Sequence, residues 1–178
     1  MERKLSSELI YDGKVIRVSK DQVELDDGST AIRECVKNPG GVAILAFREE
    51  KILFVKQYRY VVEEETIEIP AGKIEAGEDL EECARRELEE ECGYACDSLS
   101  KLFSFFPTPG FCGEVLHIYL AQGLTKIKHP KAMDEDERID VIEYSVDEAY
   151  RQVLNGKIKD SKTMIAVMYA WSELKKNS

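Results

Sequence analysis

Short apolar runs alternate with turn signals over the first part of the chain. Between Leu9 and Val36, the runs Ile10-Tyr11, Val15-Ile16-Arg17-Val18 and Val23-Glu24-Leu25 are broken by Asp12-Gly13 and Asp26-Asp27-Gly28, which is the pattern of a small antiparallel sheet. Asn38-Pro39-Gly40-Gly41 then punctuates the chain, and Val42 to Phe47 and Ile52 to Gln57 predict two strands around the charged turn Arg48–Lys51. No strand–GxGxxG–helix context surrounds these glycines, so they are read as turn formers rather than a phosphate loop. Further strands are predicted near Thr66–Ile69, Leu99–Phe106, Val115–Ala121 and Ile139–Tyr144, with a helix from Leu80 to about Cys92. Two helices follow. The first opens with the capping-box pattern Ser145-x-x-Glu148 and stops at Asn155-Gly156. The second follows Asp160-Ser161 and carries Met164, Ile165, Met168 and Trp171 at helical spacing, a predicted core face. There is no internal repeat and no low-complexity segment.

One predicted helix breaks its own pattern. Asp79 suits its N-cap, with Glu82 three residues on, and Gly93 suits the left-handed position after the last turn. At about 100° per residue, with Leu80 at zero, Cys83, Ala84 and Leu88 define the face to be buried, yet Glu87 and Glu91 fall within about 20° of its centre. Glu81, Glu82, Arg85 and Glu89 lie on the opposite face and read as a solvated charge run. Burying Glu87 and Glu91 is costly unless a cation neutralises them, and two carboxylates one turn apart are suitable hard oxygen ligands for Mg²⁺. Glu90, at the border of the face, joins them as a ligand or pairs back with Arg86 at i−4.

Composition sharpens this. The 178 residues carry a net charge of −10 with 43% hydrophobic positions, as expected for one ordinary globular domain with room for a small appendage. So acidic a chain is not built to wrap a nucleic-acid polymer, and an anionic substrate would need positive charge from elsewhere, for which a divalent metal is the natural candidate. No apolar stretch approaches the roughly 18 residues of a spanning helix, no apolar core follows the charged Met1 to Ser7, and a cytoplasmic address without membrane attachment is expected. Five cysteines, at 35, 83, 92, 96 and 112, cannot form a closed disulfide framework, and with His117 and His129 they match no zinc module; reduced structural thiols are expected.

From Gly72 to Tyr94 the sequence is GKIEAGEDLEECARRELEEECGY, which resembles the Nudix box G-x5-E-x7-R-E-U-x-E-E-x-G-U, U being a bulky apolar residue. Gly72, Glu78, Arg86, Glu87, Leu88, Glu90, Glu91 and Gly93 fall in place, and Tyr94 alone departs, where an aliphatic residue is usual. The flanks extend the similarity: Val55-Lys56-Gln57-Tyr58-Arg59, then Glu68-Ile69-Pro70-Ala71-Gly72, and after the box Pro107-Thr108-Pro109-Gly110-Phe111. Together they look like the ADP-ribose pyrophosphatase group of Nudix hydrolases.

The resemblance implies an α/β Nudix fold, a mixed sheet sandwiched between helices, covering 39–178, behind a small N-terminal antiparallel β domain at 1–38 that is exchanged across a homodimer and helps to bind substrate. It implies that Ala71 (through its carbonyl), Glu87, Glu90 and Glu91 hold two or three Mg²⁺ ions, or Mn²⁺, and that Arg59, Glu68 and Pro109 face the substrate. It assigns catalytic roles to Glu90, Arg86 and a loop glutamate ahead of the Ile139–Tyr144 strand; Glu137 fits best by distance from that strand, with Glu135 the substitute. Plainer readings stand beside these: Pro107 and Pro109 as turn formers, Glu68 as a strand residue paired on the surface, 133–138 as a solvated acidic run. His117, within a strand-like run, and His129, before a proline, read as structural. The implied reaction is Mg²⁺-dependent hydrolysis of the diphosphate of ADP-ribose to AMP and ribose 5-phosphate; the alternatives are another nucleoside diphosphate sugar, or a regulator that binds ADP-ribose without cleaving it.

Overall fold

The structure, a computed structural model, describes residues 1–132 and 138–176; Glu135 and Glu137 lie outside the described residues. The chain divides into two units, one of residues 1–40 and 105–115, the other of 41–104 and 116–178.

In the first unit, β1 (Arg3–Asp12), β2 (Arg17–Glu24) and β3 (Thr30–Lys37) form the expected antiparallel sheet in that order. Ion pairs staple it: Arg3 to Glu24, Lys4 to Asp21 and Arg17 to Asp12. Asp21 is buried, and hydrogen bonds from Ser7 and Lys4 hold its carboxyl at about 2. All ten residues of β1 are exposed, including Leu5, Leu9, Ile10 and Tyr11. Residues 105–115 join this unit through Val36, whose N–H donates to the Phe111 carbonyl (2.8 Å) and whose carbonyl accepts from Gly113 N–H (3.0 Å). The division expected from the sequence, 1–38 and 39–178, puts that segment in the larger domain, because a pairing between residues so far apart leaves no local pattern.

In the second unit, the strands β4 (Gly41–Arg48), β5 (Lys51–Arg59), β8 (Tyr94–Phe105), β9 (Leu116–Lys126) and β10 (Asp140–Ser145) make a mixed sheet, ordered β10-β5-β4-β9-β8. β6 (Glu64–Glu68) adds to β5 and β7 (Ala71–Lys73) to β4, while β4 and β9 run parallel. Val42 to Ala46 and Ile52 to Val55 are continuous buried apolar runs, as befits strands covered on both faces. The helices are α1 (Leu80–Cys92), α2 (Val146–Leu154) and α3 (Ser161–Lys176). On one face, Cys83, Ala84, Leu88 and Cys92 of α1 pack with Val42, Ile44, Ala46, Leu53, Val55, Tyr119 and Ala121.

The caps of α1 are as read: Asp79 Oδ1 accepts from the N–H groups of Glu81 and Glu82 (2.8 and 3.4 Å), and Gly93 takes φ 71° with its N–H on the Glu89 carbonyl (2.7 Å). The face of α3 needs correction. Met164 and Met168 are exposed, and the buried stripe is Lys162, Thr163, Ala166, Val167 and Ala170. Trp171 stacks on Tyr150 of α2 (centroids 4.2 Å apart) instead of entering the core. Among the described residues, no helix is long and apolar enough to cross a membrane.

Candidate active site

β7 is too short to be a strand on its own; it is held by antiparallel pairing to β4, with Ala71 opposite Ala43 and Gly72 opposite Val42. This sets Ala71 and Gly72 against the inward face of α1. Glu87 and Glu91 lie on that face and are buried, 8% and 5% exposed, as their helical angle required. Glu91 accepts from the Ala71 N–H through Oε2 (2.8 Å). A Cβ at position 72 would stand 1.8 Å from Glu87 Oε1, so this position must be glycine for the carboxylate to lie against the backbone.

Arg86 ties the helix to the loop before it. Its Nε and Nη2 grip both oxygens of Glu78 (2.8 and 3.0 Å), Nη2 reaches the Lys73 carbonyl (3.1 Å), and Nη1 donates to Glu87 Oε1 (2.6 Å) and Glu90 Oε2 (3.0 Å). That contact holds the Glu78 carboxyl at about 2. Glu90 thus makes the i−4 pairing with Arg86, and Arg86 also supplies a cation to Glu87 within the chain, so an external ion is not the only means of neutralising that buried carboxylate. Burial and the neighbouring Glu78 push the Cys83 thiol up to about 12, which removes it as a nucleophile; all five cysteines are free.

The remaining site group is richer than the sequence suggested. Arg59, at the end of β5, makes a two-pronged pair with Glu68 at the end of β6: Nε to Oε1 at 2.7 Å and Nη2 to Oε2 at 2.8 Å. Glu68 is not a surface residue but 3% exposed, and it also accepts from Thr66 Oγ1 (2.6 Å) and Lys162 Nζ (2.6 Å). The Arg59 side chain stays 45% exposed, and Glu91 is among the carboxylates whose charge its guanidinium feels. Lys162, Thr163 and Asp160 escaped the sequence reading. Lys162 and Thr163 precede Ala166 by four and three positions, so they interrupt an apolar helix face just as Glu87 and Glu91 do; the same angular test applied to α3 finds them.

Thus Arg59, Glu68, Ala71, Arg86, Glu87, Glu90 and Glu91 belong to the second unit, whereas Pro109 is exposed in the 105–115 segment of the first. His117 sits in β9, its Nδ1 2.8 Å from Ser104 Oγ, with burial and the charge of Lys101 lowering its pKa. Among the described residues, no three His, Cys, Asp or Glu side chains close into a ready-made metal cage. The donor set of Glu87, Glu90, Glu91 and the adjoining backbone is nonetheless all oxygen, and the Gly72 cradle keeps side-chain bulk away from it, which fits a hard divalent cation.

The family model described as the NUDIX domain matches residues 37–167, and that of the nucleoside diphosphate sugar hydrolase N-terminal domain matches residues 2–36. A methanol dehydrogenase activator of Bacillus methanolicus is 47% identical, and an ADP-ribose pyrophosphatase of Bacillus subtilis (strain 168) is 43% identical, each over 94% of this chain and 91% of the relative. A crystal structure of an ADP compounds hydrolase superposes with a TM-score of 0.86, covering 99% of this chain and 96% of that one at 20% identity, a likeness of fold. With a family model matching most of its length and relatives 47% and 43% identical along nearly all of it, the chain belongs to the Nudix family.

Proposed function

We propose that this chain is a Mg²⁺-dependent hydrolase that splits the diphosphate of ADP-ribose into AMP and ribose 5-phosphate. The observation that carries the reading is the pair of buried carboxylates, Glu87 and Glu91, facing the Ala71-Gly72 backbone from one helix, with the half-exposed Arg59 side chain nearby. The 43% identity to a relative named ADP-ribose pyrophosphatase supports the substrate.

A diphosphate is shielded by its own negative oxygens, so catalysis must neutralise them, align a water with phosphorus and take its proton. Glu87, Glu90, Glu91 and the Ala71 carbonyl would hold the divalent ions, two or three of Mg²⁺ or Mn²⁺, which supply charge neutralisation and water activation. Arg59 is the clamp for the diphosphate, its Nη1 edge left over from the Glu68 pair. Arg86 keeps Glu87 and Glu90 in place, and Glu90 takes part in catalysis. Glu137, with Glu135 as substitute, is the proton acceptor in this reading, and Pro109 borders the substrate. The molecule works as a homodimer exchanging its N-terminal sheet at 1–38, with 39–178 as the catalytic domain; the exposed apolar residues of β1 support such a partner surface. The free cysteines suit a cytoplasmic setting.

A second reading, another nucleoside diphosphate sugar, is favoured by the N-terminal match, whose description names that wider class. Turnover of ADP-ribose, GDP-mannose and a nucleoside triphosphate, compared in ¹⁸O-labelled water with product analysis, decides substrate, bond and attacked atom together. AMP and ribose 5-phosphate from ADP-ribose are expected; preference for another sugar nucleotide defeats the narrower claim.

A further inference from the structure

Glu68 is a carboxylate with all its acceptor positions in use. Oε1 takes Arg59 Nε (2.7 Å) and Thr66 Oγ1 (2.6 Å); Oε2 takes Arg59 Nη2 (2.8 Å) and Lys162 Nζ (2.6 Å). Lys162, itself buried, is held from the other side by Asp160 Oδ1 (3.0 Å). The second Asp160 oxygen caps α3, accepting from Thr163 N–H (3.0 Å) and Oγ1 (2.6 Å). Thr163 Oγ1 in turn accepts from the Ile69 N–H (2.8 Å), two residues before Ala71, whose own N–H holds Glu91. The first turn of α3 is therefore wired to Arg59 and to the segment that leads into the strand with the Gly72 cradle.

A carboxylate gripped on both oxygens holds a fixed plane. Lys162 binds Oε2 beside Arg59 Nη2 and is itself held by Asp160, so the Glu68 carboxylate that aims the guanidinium does not turn freely. We propose that Lys162 is a positioning residue for the hydrolysis: through Glu68 it orients Arg59 toward the substrate diphosphate. The inference rests on Arg59 being the diphosphate clamp, as in the function proposed above.

A double-mutant cycle tests it. Steady-state kinetics on ADP-ribose are measured for the wild type, Lys162→Met, Arg59→Ala and the double variant, with circular-dichroism melting alongside. In the wild-type background Lys162→Met is expected to raise KM about tenfold while kcat falls less than about threefold. On top of Arg59→Ala it should change KM by less than about twofold, and Lys162→Arg should restore most of the loss. An unchanged KM, an equal rise in both backgrounds, or no rescue by arginine overturns the inference. Should Lys162→Met fail to fold, Lys162→Gln takes its place in the same cycle and is read identically. If the wild type hydrolyses no ADP-ribose, the functional reading fails by itself, and the cycle is then read on the calorimetric Kd for ADP-ribose with the same expected ratios; absence of binding as well overturns both.

Discussion

Glu68 shows how a single side chain is kept charged where burial opposes it. Burial pushes its carboxyl up from 4.5, but the hydrogen bond from Arg59 and the charge of Lys162 outweigh that and bring it to about 2. A carboxylate whose folded pKa is depressed stabilises the fold fully above its unfolded value and loses that contribution as pH falls through the folded one. Thermal melting from pH 6 to about 2 should therefore steepen below about 4.5 for the wild type, and Glu68→Gln should flatten that part of the curve; parallel curves contradict the ion network. Gly72→Ala gives a second outcome at this scale. Its Cβ would meet the Glu87 carboxylate at 1.8 Å, so Glu87 must swing away, and kcat is expected to drop by about tenfold or more with a melting point little changed. Glu87 and Glu91 were legible because a helix fixes the angle between residues, so an inward charge announces itself against the apolar face. Glu68 was not: alternation in a five-residue strand cannot tell a surface carboxylate from one roofed by another helix.

The helix α1 is specified almost entirely from within. Its cap, its apolar stripe and its terminal glycine lie within fifteen residues of one another, and the observed span Leu80–Cys92 coincides with the reading. Asp79→Ala should cost about 1 kcal/mol of unfolding free energy, measured by urea titration, since two N–H groups lose their acceptor. Elements defined by partners were the ones missed or misjudged. β7 consists of Ala71–Lys73 and exists only through β4, so no sequence window contains its cause. For α3, hydrophobicity points to Met164 and Met168, yet the face that its neighbours cover carries Ala166, Val167 and Ala170.

For the molecule as a whole, the sequence conveyed the α/β class and its antiparallel N-terminal appendage, but not that residues 105–115 belong with 1–40. Long-range pairing carries no local signature; the box motif carries a great deal. A strand exposed along its entire length with Leu5, Leu9, Ile10 and Tyr11 on it is a surface that needs covering. Light scattering on the purified chain should give about twice 20.3 kDa, and a monomer at micromolar concentration contradicts the exchanged dimer. The most direct measurement is the turnover of ADP-ribose with saturating Mg²⁺ by the wild type and by Glu91→Gln, with melting curves to verify folding. AMP and ribose 5-phosphate are expected from the wild type and a kcat about a hundredfold or more lower from Glu91→Gln at an unchanged melting point; equal rates from a folded variant would contradict the placing of divalent-ion chemistry on this helix.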